Sequence, residues 1–148
     1  MKQSTPLLEK DGAQTASQPL LELNNVVAGY GPTPVLFDVN MSVNEGDIAC
    51  LLGRNGVGKT TLLRSIIGLN PLDGGSISFA GKDISKDATY QRARQGIAYI
   101  PQGREVIPYL SVLDNLKMGL SASGKKARTK GDGIPNELYE FFPMLKEH

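Results

Sequence analysis

The sequence predicts an α/β layered fold built around a glycine-rich loop, and three observations carry that prediction. A glycine-rich stretch at residues 53–60 stands between a continuous apolar run, residues 48–52 (IACLL), and a helical pattern, residues 61–68. A second apolar run, residues 97–100, follows a polar, helix-like segment at residues 87–95. Ahead of both, two segments alternate apolar with polar residues, the mark of strands with one covered face. Strands feeding helices point to an α/β layer, and the alternating segments add antiparallel strands at the front.

Along the chain, residues 1–18 show neither a helical nor a strand period and read as a flexible extension. Leu21, Leu23 and Val26-Val27 predict a first strand, closed by residues 28–32 (AGYGP). Val35, Phe37, Val39, Met41 and Val43 alternate and predict a half-buried strand, with Glu45-Gly46-Asp47 as the turn after it. The run at residues 48–52 has the unbroken apolarity of a strand covered on both faces, with Cys50 as a small core residue. Gly68 is the natural stop of the helix that follows the glycine-rich loop. Residues 76–79 and 97–100 predict short strands, and Ser111 with Asp114 opens a helix bearing Leu113, Leu116 and Leu120 on one side. Residues 121–136 read as a polar connection, its Lys125, Lys126, Arg128 and Lys130 a solvated basic cluster with lipid headgroups as a lesser alternative. Residues 137–142 form a last helical piece before Pro143.

At 148 residues the chain suffices for one domain with a hydrophobic core. A net charge of +1 gives no reason to expect a nucleic-acid partner. One cysteine excludes an internal disulfide, and no run reaches the roughly 20 apolar residues of a membrane span. The expectation is a cytoplasmic protein whose membrane association comes through a partner. His148, the sole histidine, has no constellation around it.

Gly53-Arg54-Asn55-Gly56-Val57-Gly58-Lys59-Thr60 fulfils G-x-x-x-x-G-K-[ST] completely. Glycines let successive backbone N–H groups converge on one anion, and the following helix adds the positive end of its dipole. Lys59 brings a point charge to the terminal phosphates, and the Thr60 hydroxyl is a ligand for Mg²⁺. The expected fold is therefore that of a P-loop NTPase. The alternative, a glycine-rich turn that binds nothing, does not account for motif and strand–helix context together.

Further residues narrow the class. The stretch LLGRNGVGKTTLLRSIIGL resembles the nucleotide-binding domain of ABC transporters, and so do SISFAGKDI and RQGIAYIPQGREVIPYLSVLDNL. The resemblance implies ATP with Mg²⁺ as ligands, with Thr61 continuing the phosphate site. It assigns Gln102 to the Q-loop, reaching toward Mg²⁺ and the attacking water, and Tyr30 in VVAGYG to stacking on adenine. On residue type alone, Tyr30 reads as an ordinary strand-end aromatic and Gln102 as a solvated turn residue. No Asn-Lys-x-Asp guanine-reading motif is present. PQGREVIPYLSVLDNLKMG and IPNELYEFFPMLKEH are similar to ATP-binding subunits of branched-chain amino acid and urea or short-chain amide importers, nearest the urea type.

The resemblance also implies partners: transmembrane permease subunits and a second ATP-binding subunit, with the chain peripheral on the inner face of the cell membrane. It implies a partial ABC domain over residues 19–148, with the core to about residue 120 and the start of the helical subdomain at residues 121–148. The family's Leu-Ser-Gly-Gly-Gln signature, its Walker B carboxylates and its switch histidine are not in this sequence. The chain is expected to be the N-terminal part of an importer's ATP-binding subunit, C-terminally truncated, with a non-hydrolysing nucleotide-binding fragment or a non-functional truncated one as the alternatives. Without a general base, hydrolysis by this chain alone is not expected. Its two apolar strands are then expected to show open faces and edges.

Overall fold

The computed structural model describes residues 18–103, 106–121 and 134–146. Strand β1 (Leu21–Tyr30) and strand β2 (Thr33–Val43) form an antiparallel hairpin. Helix α1 (Lys59–Ile66) follows the glycine-rich loop. Strands β3 (Gly74–Phe79) and β4 (Lys82–Asp83) complete an antiparallel sheet in the order β2-β1-β3-β4. Helices α2 (Thr89–Arg94), α3 (Val112–Ser121) and α4 (Asn136–Phe141) come next, and a 3₁₀ turn (Pro143–Lys146) begins where Pro143 interrupts the helical pattern. The expectations for residues 1–17, for the basic cluster at 125–130 and for His148 lie outside the described residues.

One face of the sheet makes the core. Leu23, Val26 and Ala28 of β1, Leu36 of β2 and Ile77 of β3 pack with Ile84 and with Leu62 and Ile66 of α1. The odd spacing of Leu23 and Val26 has a local cause. Asn25 takes a left-handed φ of 50° and shifts the β1–β2 register, so a bulge returns Val26 to the inner face. Asn40 Oδ1 accepts the Asn25 N–H at 2.9 Å, and Asp38 Oδ1 accepts from Asn25 Nδ2 at 3.2 Å. Gly75 lies against this bulge at φ 76°, where a Cβ would collide with the carbonyls of Asn24 and Asn25. A second irregularity at Asp38, φ 54°, corrects the sequence reading of β2. It turns Leu36 inward and leaves Phe37 exposed, whereas strict alternation would have buried Phe37.

Two expected strands are absent from the described sheet. Residues 48–52 and 97–100 form no strand, and Ile48, Leu52 and Ile100 are each more than 90% exposed (93%, 91% and 91%). Cys50 is also exposed, so its reading as a core residue is overturned. A strand covered on both faces needs a neighbour on each edge and a layer over each side. The antiparallel sheet supplies neither here; only Leu51 and Ile97 reach the core. These open apolar residues are the exposure expected of the partial domain. The protein is expected to enhance the fluorescence of an apolar-surface dye. Ile48→Lys and Ile100→Lys should each reduce that signal while changing unfolding free energy by less than about 0.5 kcal/mol. Cooperative unfolding without dye binding would contradict this.

Candidate functional site

The loop is shaped by its glycines and by the hairpin beneath it. Gly56 and Gly58 take φ of 84° and 99°, conformations that a side chain disfavours. At Gly58 the approach is also close: a Cβ there would stand 2.8 Å from Leu36 Cδ2. Gly58 is the N-cap of α1, and its carbonyl accepts the first helical bond from Leu62 N at 2.8 Å. The first-turn amides, Lys59 and Thr60 among them, have no intrahelical partner and carry the positive end of the helix dipole. Lys59 Nζ donates to Gly53 O at 2.7 Å and to Arg54 O at 2.8 Å, folding the loop around the ammonium.

These elements line a cavity of about 610 Å³ over the start of α1, and a smaller one of about 340 Å³ lies apart from it. The larger is lined by Tyr30, Val35, Asn55, Gly56, Gly58, Lys59, Thr60, Thr61 and Gln102. Its volume is that of a small-molecule site. The smaller is an apolar cleft between α2 and α3 without a converging polar set. Of the residues singled out from sequence, eight meet in the larger cavity. Gly53 and Arg54 serve it through their carbonyls, while Val57 points outward, 53% exposed. Tyr30 arrives from the end of β1, far from the loop in sequence, and Gln102 from the segment after residues 97–100. Val35 was not anticipated; its place in a hairpin strand gives no sign of a site.

Thr61 Oγ1 donates to the Tyr30 hydroxyl at 3.4 Å. That bond, then the Asn70 amide, holds the Tyr30 phenol below its ordinary pKa, against the opposing effect of partial burial. Thr60 and Gln102 give the cavity a hydroxyl and an amide oxygen, hard ligands suited to Mg²⁺ when phosphate oxygens complete its shell. No cluster of three or more His, Cys, Asp or Glu able to hold a metal by itself occurs among the described residues. The lining residues include no carboxylate and no histidine.

The ABC transporter family model matches residues 36–144, well over half of the chain. This chain belongs to the ABC transporter family. Among curated relatives, the family chain is 38% identical over 122 residues to the lipopolysaccharide export system ATP-binding protein LptB of Escherichia coli K12, covering 82% of this chain and 51% of that one. It is 32% identical over 126 residues to the sulfate/thiosulfate import ATP-binding protein CysA of Bacillus cereus, covering 85% and 34%. The solved structure of an ATP-binding subunit of an ABC transporter aligns with a TM-score of 0.65 and 32% identity, over 86% of this chain and 50% of that one. A nucleotide-free ATP-binding cassette from an ABC transporter aligns with a TM-score of 0.63 and 28% identity, over 88% and 48%. The ABC chain thus spans about half the length of LptB and of these two structures, and carries the N-terminal portion of the ABC ATP-binding fold.

Proposed function

We propose that this chain binds ATP with Mg²⁺ in the cavity over α1, as the nucleotide-binding portion of an ABC transporter ATP-binding subunit. The observation that supports this best is the convergence of Tyr30, the glycine loop, Lys59, Thr60, Thr61 and Gln102 on one cavity. Loop amides and the helix terminus take the phosphates, and Lys59 adds charge to their terminal oxygens. Thr60 and Gln102 hold Mg²⁺, and the Tyr30 ring stacks on adenine. Permease subunits and a second ATP-binding subunit are its partners, and it sits peripherally on the inner face of the cell membrane. No helix among the described residues is long and apolar enough to cross a membrane.

For the solute, urea, short-chain amides or branched-chain amino acids are proposed, on the sequence PQGREVIPYLSVLDNLKMG alone. LptB and CysA carry export and import names for quite different solutes, so the ATP site itself does not choose the cargo. Uptake of labelled urea against labelled leucine, with the permease that copurifies, separates the two.

The cavity lining, without carboxylate or histidine, favours binding without turnover by this chain alone, because attack by water needs a group to position or deprotonate it. Titration calorimetry with Mg-ATP and Mg-GTP, followed by phosphate release at saturating ATP, tests both statements. Tight ATP binding with GTP weaker and no phosphate release is expected. Failure to bind ATP overturns the function; release of phosphate overturns binding without turnover.

A further inference from the structure

The base platform and the phosphate helix touch at one point, and that contact has its own chemistry. Tyr30 is 52% exposed and lines the cavity, yet its hydroxyl end is directed at α1. Thr61, buried on the first turn of α1, donates to that hydroxyl. Asn70, buried just past the end of α1, bears on the same oxygen, and its Nδ2 has no partner at hydrogen-bonding geometry. Asn70 is itself fixed to the helix, because its N–H and that of Leu69 both donate to Arg64 O, at 3.2 and 2.8 Å. Arg64 lies three residues after Thr61, on the same side of the helix, and its positive charge favours electron density on the phenol oxygen.

We propose that Thr61 and Asn70 are positioning residues that hold the Tyr30 ring through its hydroxyl, so that the adenine platform is set by the same helix that carries Lys59 and Thr60. Base and phosphates are then recognised by one rigid unit rather than by two independent surfaces. The inference rests on the ATP reading of this cavity and adds to it a role for the hydroxyl distinct from that of the ring. A stacking surface needs only a flat ring, so phenylalanine would serve equally if the hydroxyl did nothing.

The test compares Mg-ATP with inorganic tripolyphosphate, which has the phosphates and no base, on the full chain. In Tyr30→Phe the ratio of ATP affinity to tripolyphosphate affinity is expected to fall about three- to tenfold, the worth of one hydrogen bond. Tyr30→Ala should lower it further, since the ring goes too. Asn70→Ala should lower the ratio without touching the nucleotide. It should also raise the pH at which Tyr30 ionises, read as the ultraviolet difference spectrum of each background against its own Tyr30→Phe form. A merely structural role for Asn70 would leave that titration in place. If Asn70→Ala does not fold, Tyr30→Phe decides alone. An unchanged ratio in Tyr30→Phe with a reduced one in Tyr30→Ala overturns the tether and leaves ATP binding standing. Absence of ATP binding by the unaltered chain overturns both.

Discussion

Lys59→Ala is expected to weaken Mg-ATP binding by about a hundredfold or more, with little change in the thermal midpoint of unfolding. The ammonium has three donor directions, and two are spent on Gly53 O and Arg54 O. The remaining one faces the cavity that Lys59 lines. The residue therefore braces the loop and supplies its charge, and alanine removes both. A hydrogen bond to a charged group is worth roughly 1.5–3 kcal/mol, so losing one to phosphate and loosening the brace reaches the hundredfold scale. Lys59→Arg is not expected to rescue binding, because a planar fork cannot replace a point charge gripping two adjacent carbonyls. Calorimetric titration alongside thermal unfolding checks this. An ATP affinity within about threefold of the unaltered chain would remove Lys59 from the phosphate site.

Arg92→Leu is expected to be the most destabilising single change near the site, by about 3–5 kcal/mol. Arg92 is 3% exposed, and its guanidinium meets backbone carbonyls only. Nη1 donates to Ser65 O and Ile66 O, both at 2.8 Å, closing the C-terminal end of α1. Nε donates to Asp87 O at 2.9 Å and Nη2 to Ser85 O at 3.0 Å. One side chain thus binds α1, the turn after β4 and α2 into one body. Burial disfavours its charge, which the carboxylates of Asp87 and Asp83 partly offset. Leucine would leave the carbonyls of Ile66, Ser85 and Asp87 without a donor, while Ser65 O keeps its bond from Gly68 N. Each loss costs about 1–3 kcal/mol where water cannot reach. Arg92→Lys should recover only part of the loss, because three donors from one point cannot span the four acceptors. Urea unfolding of the three proteins measures it. A loss below about 1 kcal/mol in Arg92→Leu would mean that water replaces the guanidinium.

How much of this was legible beforehand depends on the range of the forces involved. The loop and α1 were readable because the motif, the preceding apolar run and Gly68 are neighbours in sequence, and local geometry decides them. Ser111 and Asp114 likewise read as a helix start, and their side chains do cap α3: Asp114 N donates to Ser111 Oγ at 3.1 Å. The hairpin was legible in outline, but not the bulges at Asn25 and Asp38, which reverse the faces of Phe37 and Leu36. Residues 48–52 and 97–100 failed as strands because apolarity states what a segment needs, and pairing depends on what lies beside it. Arg92 was invisible: in a polar helix pattern an arginine looks solvated, and only the fold brings four carbonyls to it. That Tyr30, Gln102 and the glycine loop would come together was legible through motif and family resemblance, whereas the contact between Tyr30 and Thr61 was not.

The hairpin that carries Tyr30 also bears on the order in which the molecule assembles. Tyr30 pairs with Thr33 across the two-residue turn Gly31-Pro32, so β1 and β2 zip with minimal loop-closure entropy. Strand β3 must return to β1 from far along the chain, after the glycine loop and α1 have been spanned. The aromatic platform is therefore expected to be in place while the phosphate cradle is still diffusing. Pulse-labelled amide exchange during refolding should find Leu36 and Tyr30 protected ahead of Leu62 and Ile77. The Tyr30 ring is then a template on which the glycine loop condenses, and on the proposed ATP reading nucleotide present during refolding should hasten the later step rather than the first.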